Sequence, residues 1–220
     1  MNVQQTPDQQ QQHQPSSLVE WAVGRQSRQQ TSGKSESHRA HIPLLKATPS
    51  GIICALIDGV GQDAAAERAA QLAAAPFEEY THQSLTELFA RADKAGAASG
   101  GVAVTAAMFN VGFNTISWFG VGHVQGTLFR RSPAADPRYH KLELVSGLLG
   151  TGQVRLRESC LPIKPGDLLI FATENISQSF VEALPIDGKP RLVADQLMAK
   201  YCTPDTDSAM IVVRYLGSGY

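Results

Sequence analysis

The sequence predicts an α+β protein in which β-sheets are covered by helices. An alanine-rich helical stretch follows a buried apolar strand, and the spacing of apolar residues then changes from about 3.6 to about 2 residues. The resulting order is strands, two helices, a run of strands, two helices and a final strand. This order is neither strict strand–helix alternation nor an all-strand pattern.

The N-terminal half is predicted to contain three strands and two helices. The strands are Leu18–Val23, His41–Leu45 and Ile52–Ile57, and the helices are 62–75 and 84–95. The unbroken apolar run Ile52–Ile57 is typical of a strand that is buried on both faces. Pro76 is predicted to end the first helix. Ser84 and Glu87 have the spacing of a capping box, which predicts the start of the second helix.

The C-terminal half is predicted to contain a run of strands, then two helices and a last strand. The strands are Val102–Phe109, Thr115–Val121 and Gly126–Arg131 as consecutive antiparallel strands, then Lys141–Val145, Val154–Cys160, Leu168–Thr173 and, at the end, Ala209–Leu216. The helices are Phe180–Leu184 and Arg191–Cys202. Glycines between the first strands mark the turns.

The amino-acid composition differs between a short N-terminal segment and the rest of the chain. Residues 1–16 are rich in glutamine and poor in aliphatic side chains, which predicts a disordered tail, because such a segment buries too little apolar surface to fold. Residues 17–220 are predicted to form a single domain. The sequence does not indicate an oligomeric state.

Charge and hydropathy exclude several classes of protein. The 19 basic and 20 acidic residues give a formal charge of −1, which argues against a nucleic-acid binder that relies on phosphate contacts. No apolar run is long enough to cross a membrane, and no secretory signal is visible. The three cysteines, Cys54, Cys160 and Cys202, form no C-x-x-C motif. We therefore expect a cytoplasmic protein.

Three apolar strands each have an acidic residue at one end. Asp58 follows Ile52–Ile57 and is followed by Gly59, Glu174 follows Leu168–Thr173, and Asp207 precedes the last strand. If these strands are neighbours, the carboxylates can meet and bind a hard cation such as Mg²⁺ or Mn²⁺. The alternative interpretation is that Asp58 caps a helix and that strand ends are polar in any case.

Other catalytic motifs are missing from the sequence. It contains no phosphate-binding G-x-x-x-x-G-K-[ST] loop and no G-x-S-x-G nucleophile elbow. His38 and His41 lie in a polar region and His123 follows Gly-Val-Gly, so we expect the histidines to form no cluster and no zinc site.

Four segments, in order, resemble the metal-dependent PPM (protein phosphatase 2C-type) serine/threonine phosphatases, and among them the small bacterial RsbX- and SpoIIE-like branch. The segments are ICALIDGVGQDAAAERAA, the pair GGVAVTAAMFN and TISWFGVGHVQGTLFRR, LPIKPGDLLIFATENIS, and TDSAMIVVRY. Together they cover about residues 18–216. The resemblance implies a β-sandwich flanked by helices, in four layers α-β-β-α.

The resemblance also implies a site for two Mn²⁺ or Mg²⁺ ions that activate a water molecule for attack on phosphorus. Asp58 matches the carboxylate that bridges the two ions, and the main-chain carbonyl of Gly59 matches a second ligand. Glu174 and Asp207 match the remaining acidic ligands. The resemblance does not identify the residue that protonates the leaving group, and both His123 and His38 are candidates.

The sequence departs from the family pattern at three places. Glu174-Asn175 stands where the family has Asp-Gly, and Asp207-Ser208 stands where it has Asp-Asp. The early loop near Ser35–Ser37 has no aspartate, although Glu36 offers a carboxylate. These departures imply a less negatively charged metal site with a weaker second ion.

The resemblance implies dephosphorylation of a phosphoserine or phosphothreonine protein. By analogy, this partner would be a STAS-domain regulator in a stress-response partner-switching module. The alternative is a catalytically weak or inactive phosphatase-like module that binds a regulatory protein.

Overall fold

A computed structural model of the chain describes residues 18–28, 40–97, 100–152, 158–183 and 188–217. The predicted tail 1–16 lies outside these residues, as do Glu36, His38 and most of the predicted strand Val154–Cys160. No helix in the described ranges is long and apolar enough to span a bilayer.

Eleven strands and four helices are described. The strands are β1 (Val19–Gln26), β2 (His41–Thr48), β3 (Gly51–Gly59), β4 (Val102–Asn110), β5 (Thr115–Val121), β6 (Gln125–Phe129), β7 (Tyr139–Lys141), β8 (Leu144–Val145), β9 (Ser159–Pro162), β10 (Leu168–Ala172) and β11 (Ser208–Tyr215). The helices are α1 (Ala64–Glu79), α2 (Leu85–Gly96), α3 (Phe180–Ala183) and α4 (Pro190–Tyr201).

The strands form two sheets. One has the order β1-β11-β10-β6-β7, and the other has the order β2-β3-β4-β5-β8, with β9 also paired to β5. Side chains on one face of β3 pack against β11 of the other sheet, and those on its opposite face pack against α1 and α2. On the outer face of the first sheet, β11 packs against α4. The α+β class and the four predicted layers are therefore confirmed.

The apolar composition of β3 explains why this strand lies in the interior, between the other sheet and the helices. All nine of its residues are buried, as the unbroken apolar run predicts. Ile52 and Leu56 contribute to the core between the sheets, whereas Ile53 and Ile57 contribute to the core beneath the helices. Asp58 is the polar residue that follows this run, and it stays within the strand.

The predicted end of α1 at Pro76 is wrong, because the helix continues to Glu79. Phe77 is fully buried and its ring packs edge-on against Phe89 of α2, with 5.3 Å between the ring centroids. Burial of a phenylalanine contributes about 1.5–3 kcal/mol, which offsets much of the roughly 3 kcal/mol cost of an interior proline. The capping box that begins α2 at Ser84 is confirmed.

The third predicted antiparallel strand does not stay beside the second. β6 joins the other sheet, where it pairs with β10 and β7. The turn after β5 contains Gly122 with a φ of +94°, and the Thr105 hydroxyl donates a hydrogen bond of 2.5 Å to the Val124 carbonyl. This turn leads the chain from one sheet to the other.

The predicted strand Lys141–Val145 is likewise divided. β7 pairs with β6 in the first sheet and β8 pairs with β5 in the second. Leu142 lies between them with its side chain in the core between the sheets, which draws the chain inward at this point.

Candidate functional site

Asp58 lies near the end of β3 and is largely buried, with 7% of its surface exposed. Both of its carboxylate oxygens face histidines. Nε2 of His41 lies 3.0 Å from Oδ1, and Nε2 of His123 lies 3.0 Å from Oδ2. A buried carboxylate needs such partners, because burial without them would cost several kcal/mol.

The two histidines reach Asp58 from different elements. His41 begins β2 and lies directly opposite Asp58 in the antiparallel β2–β3 pair. His123 follows Gly122 in the turn that leaves β5. A side chain at Gly122 would come within 2.6 Å of the Cβ of Ala103 in β4, so glycine allows this turn to pack closely against β4.

Glu174 follows β10 and Asp207 precedes β11, so both residues lie at the same end of two neighbouring strands in the other sheet. β10 and β11 are antiparallel neighbours, and Thr173, just after β10, exchanges hydrogen bonds with Ala209 of β11. The side-chain amide of Asn175 donates to the Asp207 carbonyl at 3.2 Å. Glu174 is exposed and Asp207 is half-buried.

Two contacts link these acids to the Asp58 side of the site. The pKa of His123 is raised chiefly by its hydrogen bond to Asp58, and the negative charge of Glu174 adds to this effect. The Arg28 backbone N–H donates to Asp207 Oδ1 at 3.0 Å, and its guanidinium donates to the Gln62 side chain, just beyond Asp58, at 3.3 Å. The structure therefore brings all three predicted carboxylates to one end of the sandwich.

The loop after Asp58 needs glycine for two different reasons. Gly61 has a φ of +119°, which side-chain-bearing residues rarely adopt. Gly59 has no such φ. Instead, a Cβ at this position would lie 2.1 Å from the Ala66 carbonyl oxygen of α1, so only glycine lets the helix pack against the strand end. Asp63, not Asp58, caps α1 by accepting hydrogen bonds from Ala65 and Ala66.

The charges of Asp58 and His123 are coupled. Burial raises the pKa of Asp58, but hydrogen bonds with His123 and His41, together with their positive charge, outweigh burial and hold its pKa below the ordinary value. The hydrogen bond to Asp58 raises the pKa of His123, and this effect exceeds the opposing effect of burial. Both shifts favour a carboxylate beside an imidazolium in the metal-free protein.

The donor set fits a divalent cation that keeps much of its hydration. Carboxylate oxygens and a main-chain carbonyl are the ligands that hard cations prefer, and Asp58, Gly59, Glu174 and Asp207 supply them at one end of the sandwich. In the described ranges, no three His, Cys, Asp or Glu side chains are arranged around one ion. Mg²⁺ sites often use only one or two carboxylates together with water.

The sequence did not predict that His41 and His123 both reach the Asp58 carboxylate. The pairing of His41 with Asp58 could have been predicted from the sequence, because a two-residue turn at Pro49-Ser50 places residue 41 opposite residue 58. His123 carried no comparable signal, since its position depends on the change of sheet after β5.

No family model and no curated protein matches this sequence. Solved structures do match it. RsbX in complex with magnesium is 18% identical, with a TM-score of 0.78 over 92% of this chain and 98% of that chain. A chain from work on the bacterial stressosome is 20% identical, with a TM-score of 0.75 over 89% and 99%. The serine/threonine phosphatase PstP with two manganese ions is 17% identical, with a TM-score of 0.60 over 90% and 99%. The chain therefore has the fold of the PPM-type phosphatases.

Proposed function

We propose that this chain, which has the fold of RsbX and PstP, is a metal-dependent protein serine/threonine phosphatase. One observation carries the proposal: a buried carboxylate, Asp58, lies at the end of the sandwich where Glu174 and Asp207 also lie. The solved structures of RsbX with magnesium and PstP with two manganese ions support the use of a divalent ion.

Asp58, Glu174, Asp207 and the Gly59 carbonyl would hold the metal. When bound, divalent ions supply an activated water and neutralise charge on the phosphoryl oxygens. The protein contributes orientation, because β2 and the turn after β5 fix the Asp58 carboxylate between two imidazoles. The Arg28 backbone similarly orients Asp207.

The substrate we propose is a phosphoserine or phosphothreonine protein, specifically a STAS-domain regulator of a stress-response module. The likeness to RsbX and to a stressosome chain supports this partner class. The exposure of Glu174 supports a protein substrate, because this carboxylate can be reached from solvent.

A second candidate function is supported by one observation on Asp58. Both of its oxygens already face imidazoles, and no three donor side chains in the described part of the chain surround one ion. A site in this state would bind a regulatory protein without hydrolysing it.

The test is phosphate release from a phosphorylated STAS-domain protein in the presence of Mn²⁺, Mg²⁺ or a chelator. We expect release with metal, none with chelator, and none from Asp58→Ala. Asp195→Asn is the matched control, because Asp195 is an exposed carboxylate on α4 paired with Arg191.

Failure to release phosphate with either ion, together with intact binding of the partner, would favour the binding module. Release that survives in Asp58→Ala would contradict both the metal site and its assignment to this end of the sandwich.

A further inference from the structure

We infer that Val60 and Leu148 select substrates in which an aliphatic residue stands next to the phosphorylated serine or threonine. These two side chains, which we call the apolar rim, lie at the start of β4 beside the Asp58 end of the sandwich. The inference rests on the proposed function and deepens it, because it names the local sequence that this site would accept.

Val60 is an exposed apolar side chain next to the candidate site. It lies two residues beyond Asp58 and is 46% exposed. The other large apolar side chains that are exposed in the described ranges lie on α1, on α4, in the β4–β5 turn and after β11. Because single exposed apolar residues are common, exposure alone carries no weight. What distinguishes Val60 is its position beside Asp58.

The turn that carries Val60 is held in one conformation. A Cβ at Gly59 would lie 2.1 Å from the Ala66 carbonyl oxygen, and Gly61 has a φ of +119°. The Val60 N–H donates to the Gly101 carbonyl at 3.3 Å, which ties the turn to the residue before β4. Valine is branched at Cβ, so its side chain has few rotamers. A surface that is already ordered loses little conformational entropy when a substrate binds.

Leu148 extends this surface on the other side of Gly101. A Cβ at Gly101 would lie 2.8 Å from Cδ1 of Leu148, so the leucine packs directly on the glycine. Leu149 exchanges backbone hydrogen bonds with Val102, and this bridge holds the segment against β4. The Leu148 side chain is half-buried and packs against the core between the sheets. Val60 and Leu148 therefore flank the same glycine.

The two sides of the site differ in charge. Residues 97–107 and 145–150 contain no charged side chain, so the apolar rim lies in a neutral surface. The acids Glu174 and Asp207 belong to the other sheet. Burial of a polar side chain against an apolar surface without a hydrogen-bond partner costs free energy. An aliphatic side chain is therefore the one that the rim favours.

The distances suit a residue adjacent to the phosphorylated one. Two residues span at most about 7 Å of extended chain, so the Cα atoms of Val60 and Asp58 lie within this distance. Consecutive Cα atoms of a substrate are about 3.8 Å apart. A substrate whose phosphate reaches the Asp58 end of the sandwich therefore brings a neighbouring side chain within reach of the rim.

The test compares two phosphopeptides as substrates of the full-length protein with Mn²⁺. Both residues that flank the phosphoserine are leucine in one peptide and asparagine in the other, because these side chains are similar in size and neutral. The variants are Val60→Thr, which keeps the branched shape but replaces a methyl group by a hydroxyl, and Leu148→Ala. Leu72→Ala is the control, because Leu72 on α1 is 48% exposed, much like Val60.

We expect wild type to favour the leucine peptide by about 10-fold in kcat/KM. Each rim variant should reduce this ratio by about 3- to 5-fold, whereas the control keeps it. The ratio does not change when a variant merely lowers the amount of folded protein. The same preference should appear in the dissociation constants of peptides that carry a non-hydrolysable phosphonate in place of the phosphate. Calorimetry measures these constants without turnover.

Equal use of the two peptides by wild type, or a preference for asparagine, would overturn the inference and leave the phosphatase standing. A preference for leucine that both rim variants retain would overturn it as well. Binding of neither phosphonate peptide, together with no phosphate release, would contradict both the inference and the proposed function. Rim-dependent binding of the leucine phosphonate peptide without phosphate release would leave the inference standing and contradict only the phosphatase.

Discussion

Two buried aspartates, at opposite ends of the sandwich, differ in the kind of partner that holds them. Asp167, just before β10, accepts hydrogen bonds from the Arg130 guanidinium at 2.9 Å and from the backbone N–H groups of Arg131 and Lys164. Asp58, at the end of β3, faces two imidazoles. Their exposures, 2% for Asp167 and 7% for Asp58, do not separate them.

The difference in partners indicates a difference in role. A guanidinium and backbone amides are permanent donors, so Asp167 is bound into the turn that begins β10. Imidazoles can release a carboxylate, exchange a proton or accept a metal, so the surroundings of Asp58 can change without unfolding. Burial therefore identifies both residues, but only the chemistry of the partners distinguishes a carboxylate with permanent donors from one whose surroundings can change.

The largest expected effect is on activity at the Asp58 end. Asp58→Asn keeps the shape but removes the charge, and we expect a loss of about 1,000-fold in phosphate release, equivalent to about 4 kcal/mol. Steady-state assays with Mn²⁺ measure this. An equally large loss of activity in Asp167→Asn, measured at a temperature where that variant is folded, would show that the two aspartates do not differ in role.

The next effect is on stability at the Asp167 end. Asp167→Asn leaves the half-buried Arg130 guanidinium without its carboxylate, and removal of one partner of a buried pair costs at most about 3–5 kcal/mol. Urea unfolding followed by circular dichroism measures the change. Asp58→Asn should cost clearly less in metal-free protein, because its histidine partners can lose their charge. Equal losses would show that Asp58 is structural too.

Metal binding should separate the two ends further. An ion present at 100 times its dissociation constant raises the free energy of unfolding by about 2.7 kcal/mol. We expect this gain in wild type and also in Asp167→Asn, because distant sites contribute independently. Denaturant melts with Mn²⁺ and with chelator test this. A gain that persists in Asp58→Asn would place the ion elsewhere.

The same contrast shows what the sequence could predict. The burial of β3 and the position of Asp58 follow from one apolar run, and the acids at the ends of β10 and β11 follow from similar runs. His41 was predictable from the hairpin register. By contrast, β6 changes sheet and Pro76 stays within α1, because packing between distant elements, such as Phe77 on Phe89, decides both. Local patterns carry no information on such contacts.

The smallest expected effect is a change with pH at His123 in metal-free protein. Its pKa is raised chiefly by the hydrogen bond to Asp58, so the pair contributes stability that is fully present below the unfolded pKa of histidine. This contribution is lost as the pH rises through the folded pKa of His123. NMR titration of the ring protons should therefore give a higher pKa in wild type than in Asp58→Asn. An equal or lower value in wild type would mean that Asp58 does not hold an imidazolium, and the two aspartates would then differ only in the strength of their partners.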